Sequence, residues 1–153
     1  MPGNDRPPEF LFALFPIVFP LFWVAVLAFI ALQGWRSVES AYSATSDPPL
    51  SARRVYWGSM SFGGSLMSPS YSSCINAWIS ETGLWLRPSL LFRPFHPMIF
   101  IPWARMASIG SERALLLFRR TRIKLVGDVP DLLLAGRLGR AVLEALPPPR
   151  SRH

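Results

Sequence analysis

Residues Phe10 to Leu32 read FLFALFPIVFPLFWVAVLAFIAL, twenty-three residues without a charge. Water does not solvate such a run, and a soluble chain of 153 residues seldom needs a core helix so apolar. A bilayer core of about 30 Å takes roughly 20 helical residues, so the run is long enough to cross. Pro16 and Pro20 shape the expectation. A proline inside a helix removes a backbone hydrogen bond, whereas at the first turn that N–H has no partner anyway. The sequence therefore predicts a helix from Pro16 to Trp35, with Phe10, Phe12 and Phe15 at one interface. Trp23 lies within the span, and Trp35 and Arg36 mark the other boundary as belt aromatic and snorkelling cation. A cleaved secretory leader would need a cationic start and a shorter apolar run. The start here, MPGNDRPPE, holds one arginine against two acids.

Orientation follows the cationic side. Residues 1–9 carry Arg6 against Asp5 and Glu9, while everything after residue 32 carries fifteen cations against seven acids. The expected topology is single-pass, with the C-terminal domain in the cytoplasm.

The rest of the chain divides by composition. Residues 1–9 form a tail, 10–36 the anchor, 37–50 a polar linker ending in Pro48-Pro49, 51–146 one small domain, and 147–153 a disordered tail. Short apolar runs broken by Gly, Pro and Ser mark the domain as β-rich. Expected strands are Val55 to Phe62 (ended by Gly63-Gly64), Cys74 to Ser80, Leu84 to Arg87 across the Glu81-Thr82-Gly83 turn, Ser89 to Phe92, an edge or bulge strand Met98 to Trp103 broken by Pro102, Glu112 to Arg119, and Thr121 to Val126. In the last of these Arg122 and Lys124 face one way, Ile123 and Leu125 the other. From Asp128-Val129-Pro130-Asp131 the period changes, and an amphipathic helix is predicted over 129–146, with Arg137, Arg140 and Glu144 on its solvent side. Many strands and one closing helix bury both apolar surfaces most simply as an α+β fold: a mainly antiparallel, partly open β-barrel with a C-terminal helix.

That order resembles the pleckstrin-homology-like (PH-like) superfold, in which seven strands precede a capping helix. The segment Gly83-Leu84, Phe92-Arg93, His96-Pro97 and Ile101-Pro102-Trp103 also resembles uncharacterised bacterial membrane proteins with PH or GRAM-type domains. The resemblance implies a bacterial inner-membrane protein and supplies no catalytic residues; fold does not dictate function.

Several chemistries lack their residues. Cys74 is the only cysteine, so no disulfide forms within the chain, and it reads as a buried strand residue. His96 and Cys74, twenty-two positions apart, do not make a zinc site. There is no G-x-S-x-G and no phosphate-binding glycine loop. No enzyme activity, metal or cofactor is expected. Two groups remain as candidate contacts. Arg93, His96 and Trp103 form either a structural turn or a ligand contact. Arg113, Arg119, Arg120, Arg122 and Lys124 have no acid between Arg113 and Gly127. They form either an ordinary solvated, edge-protecting face or a contact with anionic lipid or a protein partner. Fifteen of the sixteen cations are arginine. That fits a GC-rich codon bias, or bidentate recognition of oxyanions. Nucleic acid is not expected, because stacking aromatics are not interleaved with the basic residues. The expected role is a membrane-anchored adaptor whose domain contacts lipid headgroups or protein. The rivals are a structural subunit assembled through a bent span, and an envelope enzyme.

Overall fold

A computed structural model describes residues 9–63, 68–114 and 118–146. The predicted tails at 1–8 and 147–153, and Gly64 of the first strand's expected end, lie outside the described residues.

The apolar run is helical, and it is longer than the proline argument allowed. Helix α1 spans Glu9–Ile30 with Pro16 and Pro20 inside it. Each proline forfeits one backbone bond, but an apolar setting gives the rest of the backbone no partner outside the helix. A π-helical turn, Ala31–Trp35, follows. Helix α2, Arg36–Tyr42, then continues into what the sequence assigned to a linker. The reason is tertiary: Val38 and Tyr42 are buried in the core of the domain.

Seven strands form one antiparallel sheet: β1 (Arg53–Phe62), β2 (Ser70–Ile79), β3 (Gly83–Pro88), β4 (Ile99–Pro102), β5 (Met106–Ala114), β6 (Phe118–Leu125) and β7 (Leu132–Ala135). Helix α3, Gly136–Ala145, closes the order, and the chain is α+β. The strands lie in the order β4-β3-β2-β1-β7-β6-β5. Strand β4 is an edge, one of the two placements that Pro102 allows.

Strand β1 is the bend on which this order turns. Its register with β2 shifts on both sides of Gly58, and Trp57 beside it is left-handed at φ 59°. Such a bulge bends a strand and adds twist. Beyond the bend, Ser59 to Phe62 pair with β7 on one side, and Met60 and Ser61 pair with β2 on the other. Gly58 is also where α3 lands: a Cβ there would lie 2.8 Å from Leu138 Cδ2.

Three expectations need correction. Ser89 to Phe92 is not a strand; a 3-10 turn occupies Leu90–Phe92. The run expected as one strand, Glu112 to Arg119, belongs to two, β5 and β6. The helix expected over 129–146 is divided, because Leu132, Leu133 and Leu134 are buried as a strand between β1 and β6. The chain then turns at Gly136, φ 56°, into α3.

One core joins these parts. Trp35, Val38 and Tyr42 pack in it with Phe62, Ile75, Leu86, Ile123, Leu134 and Val142. At about 25 cal/mol per Å2 of apolar area, each such side chain contributes about 1.5–3 kcal/mol.

Candidate functional site

Strand parity sorts the basic residues of β6. Thr121, Ile123 and Leu125 are buried, so Arg120, Arg122 and Lys124 project from the other face. Their surroundings then separate them. Arg122 is neutralised: its Nε lies 2.6 Å from Glu112 Oε1 and its guanidinium donates to Asp131 Oδ2 at 3.0 Å. The carboxylates of Glu112 and then Asp131 push its pKa further up, holding the charge. Lys124 and Arg120 are exposed. Arg113 and Arg119, both exposed, lie directly opposite one another across β5 and β6. Like charges in that relation repel.

A cleft of about 640 Å3 opens between the start of β6 and α3. Arg119 and Arg140 line it with Thr121, Ser111 and Leu143; Arg120 borders it, with its side chain on the outer face of β6 opposite Glu112, and among the described residues no acid lines it. Gly139 sets its floor by letting α3 approach β6; a Cβ there would lie 2.7 Å from Thr121 Oγ1 and 2.9 Å from the Leu134 carbonyl. Arg140 was not anticipated as a site residue. Its spacing with Glu144 invited an ion pair within the helix, but Glu144 accepts from Arg53 at 2.8 Å instead. Arginine is the apt residue for such a cleft, since its planar fork pairs bidentately with carboxylate or phosphate.

The second candidate group does not converge. Trp103 donates its indole N–H to the Ser80 carbonyl at 2.9 Å and so closes the β2–β3 turn. His96 is fully buried at the opposite end of the strands, and Arg93 is exposed in the loop before it. Its Nδ1–H donates to the Pro94 carbonyl at 2.8 Å. A neutral ring then leaves Nε2 to accept from the Tyr71 hydroxyl at 2.9 Å. Burial lowers the pKa of His96, and burial, then the nearby Cys74, raises that of Tyr71, so both are neutral. Cys74 is itself buried, which pushes its thiol up. Both ring nitrogens of His96 are thus spent on structure.

The anchor residues also divide. Pro16 and Pro20 lie in the exposed half of α1, and Trp23 is partly covered. Trp35 is not a membrane-belt residue: it is fully buried, its Nε1–H donates to the Pro97 carbonyl at 3.0 Å, and its ring meets His96, Tyr71 and Phe62. Arg36 alone of that boundary pair stays exposed.

Comparison with family models, curated proteins and solved structures finds no match. Among the described residues, no three His, Cys, Asp or Glu side chains converge as a metal site would require. Among the described residues one helix, near the N-terminus, is long and apolar enough to cross a membrane.

Proposed function

We propose that this chain is a single-pass membrane protein whose β-domain is a non-enzymatic binding module for an acidic segment of a protein partner. The observation that carries the reading is the cleft between β6 and α3, where Arg119 and Arg140 border a common space that no acid lines among the described residues.

The cleft's position favours protein over the lipid headgroups of the domain's own bilayer. The Tyr42 hydroxyl donates to the Val126 carbonyl, just past the end of β6, so α2 meets that end of the strand. Arg119 lies seven residues back, about 23 Å along an extended strand. The cleft therefore lies at the end of β6 away from α2.

The strand order, the single C-terminal helix and the bend in β1 support a PH-like identity for the domain, as an open barrel with edges at β4 and β5. The excess of cations after residue 32 supports a cytoplasmic domain at a bacterial inner membrane.

The test is binding of a fluorescent oligoglutamate peptide to the full chain in neutral-lipid nanodiscs. Arg119→Glu with Arg140→Glu weakens binding by about tenfold or more, equivalent to about 1.4 kcal/mol. Lys124→Glu, on the outer face of the same strand, is the charge control and has a small effect. Equal losses for both would reduce the cleft to bulk charge and overturn the reading.

A further inference from the structure

We propose that the loop from Ser89 to Pro97 is a membrane wedge, inserted into the leaflet that the domain faces, with Leu90, Leu91 and Phe95 in contact with acyl chains. The inference rests on reading α1 as a membrane span.

Three observations meet here. First, the loop exposes its apolar side chains: Leu90 is 75% and Leu91 64% accessible, and Phe95 is exposed beside them. Single exposed leucines are ordinary on a protein surface, but a contiguous group beside an exposed apolar helix is not.

Second, the loop is fastened to that helix. The Trp23 indole lies against Phe92 with ring centroids 5.5 Å apart, and its N–H reaches the Leu91 carbonyl at 3.4 Å. Higher up, Trp35 holds the Pro97 carbonyl, and the Ser89 amide donates to the Cys74 carbonyl at 2.7 Å. The loop's height along the helix is therefore fixed.

Third, that height falls inside the apolar run. Trp23 stands fourteen residues after Glu9 and thirteen before Arg36, the charges that bracket the run. From Phe10 to Trp23 the helix rises about 20 Å, while a hydrocarbon core is about 30 Å thick. A helix that stopped in the bilayer at Trp23 would be too short to cross. To cross, it is immersed to about Phe29, which is exposed and apolar as that requires. The residues beside Trp23 are then carried about 10 Å below the near boundary, a depth typical of interfacial apolar segments. Arg93, exposed in the same loop, has a stem long enough to carry its charge to the headgroups.

The occupant of this face is thus lipid, and the contact sets the posture of the domain, turning the β6–α3 cleft away from the membrane.

The experiment is depth-dependent quenching of a bimane label on the full chain in liposomes containing acyl-brominated phosphatidylcholine. Leu90→Cys reports the wedge, Phe19→Cys the span, and Leu50→Cys the far side of the domain. Cys74 is buried, so the unsubstituted protein is the labelling blank. Expected is loss of Leu90→Cys fluorescence to bromolipid, comparable to that at Phe19→Cys, with little loss to aqueous iodide and the reverse pattern at Leu50→Cys. If Phe19→Cys is quenched by bromolipid and Leu90→Cys only by iodide, the wedge is wrong and the span stands. If Phe19→Cys is not quenched by bromolipid, the span reading itself fails. A Leu90→Cys label shielded from both quenchers would place protein over the loop and overturn the lipid assignment. Phe95→Cys gives a second readout if Leu90→Cys does not fold.

Discussion

The indole of Trp35 lies edge-on to the imidazole of His96, ring centroids 5.3 Å apart, at the point where the apolar helix becomes part of the β-domain. Trp35 closes a run that starts among exposed phenylalanines, yet it is fully buried. His96 sits between two prolines, yet it is a core residue. The helix and the domain are joined by packing, not by a tether.

Trp35→Ala should therefore cost the β-domain about 3–5 kcal/mol, as large aromatic deletions in cores do. Urea unfolding of the full chain in detergent, followed by the signal of the sheet, measures it. A loss below about 0.5 kcal/mol, usual for a surface site, would return Trp35 to the membrane interface.

The same packing predicts where the domain can be cut. A fragment starting at residue 51 lacks Trp35, Val38 and Tyr42 and should not unfold cooperatively. A fragment starting at residue 31 keeps them and should. Matched, cooperative melts of the two fragments would contradict the shared core.

Stability should depend on pH through His96. Burial keeps its ring neutral in the fold, below its ordinary pKa of about 6.5. The unfolded chain takes up that proton at higher pH than the folded chain does. Stability is then complete above about pH 6.5 and falls as pH drops from there toward the folded value. His96→Gln should remove this component of the slope, whatever its effect on stability at neutral pH. Unfolding free energies for both proteins at pH 7.5, 6.5 and 5.5 decide it.

Two glycines should answer differently to the same substitution. Gly139→Ala drives a methyl group against the Thr121 hydroxyl and the fixed Leu134 carbonyl, and overpacking of this kind costs about 1–3 kcal/mol. Gly110 has nothing within 4 Å of the position a Cβ would take, so Gly110→Ala should fall within about 0.5 kcal/mol of the parent. Thermal melts of both variants suffice, and similar shifts would contradict the close seating of α3 on β6.

These relationships were legible in the chain to unequal degrees. The two-residue period of Arg122, Ile123, Lys124 and Leu125 reads directly as a strand with one wet face, and that is how β6 lies. Pro102 at an apolar run marks an edge or a bulge, and β4 is an edge. Leu132-Leu133-Leu134 gave no such signal, because three consecutive leucines suit a strand buried on both faces as well as a helix. Met106 to Gly110 went unread because Ala107, Ser108 and Gly110 carry little strand preference. Trp35 misled for a different reason: an aromatic at the end of an apolar run is the mark of a membrane belt, and only its neighbours distant in sequence reveal a core. Arg140 meets Arg119 through the start of α3 at Gly136 and its seat on β6, a tertiary relation that no local pattern encodes.

Amide hydrogen exchange of the full chain in nanodiscs tests the shared core most directly. If α2 and the sheet are one unit, the amides of Val38 to Tyr42, beyond the apolar run, open with the same free energy as those of Ile123 and Leu134. Trp35→Ala should lower all of them together. Fast exchange across Val38 to Tyr42 while Ile123 and Leu134 stay protected would show a helix merely tethered to the domain, and would contradict the account.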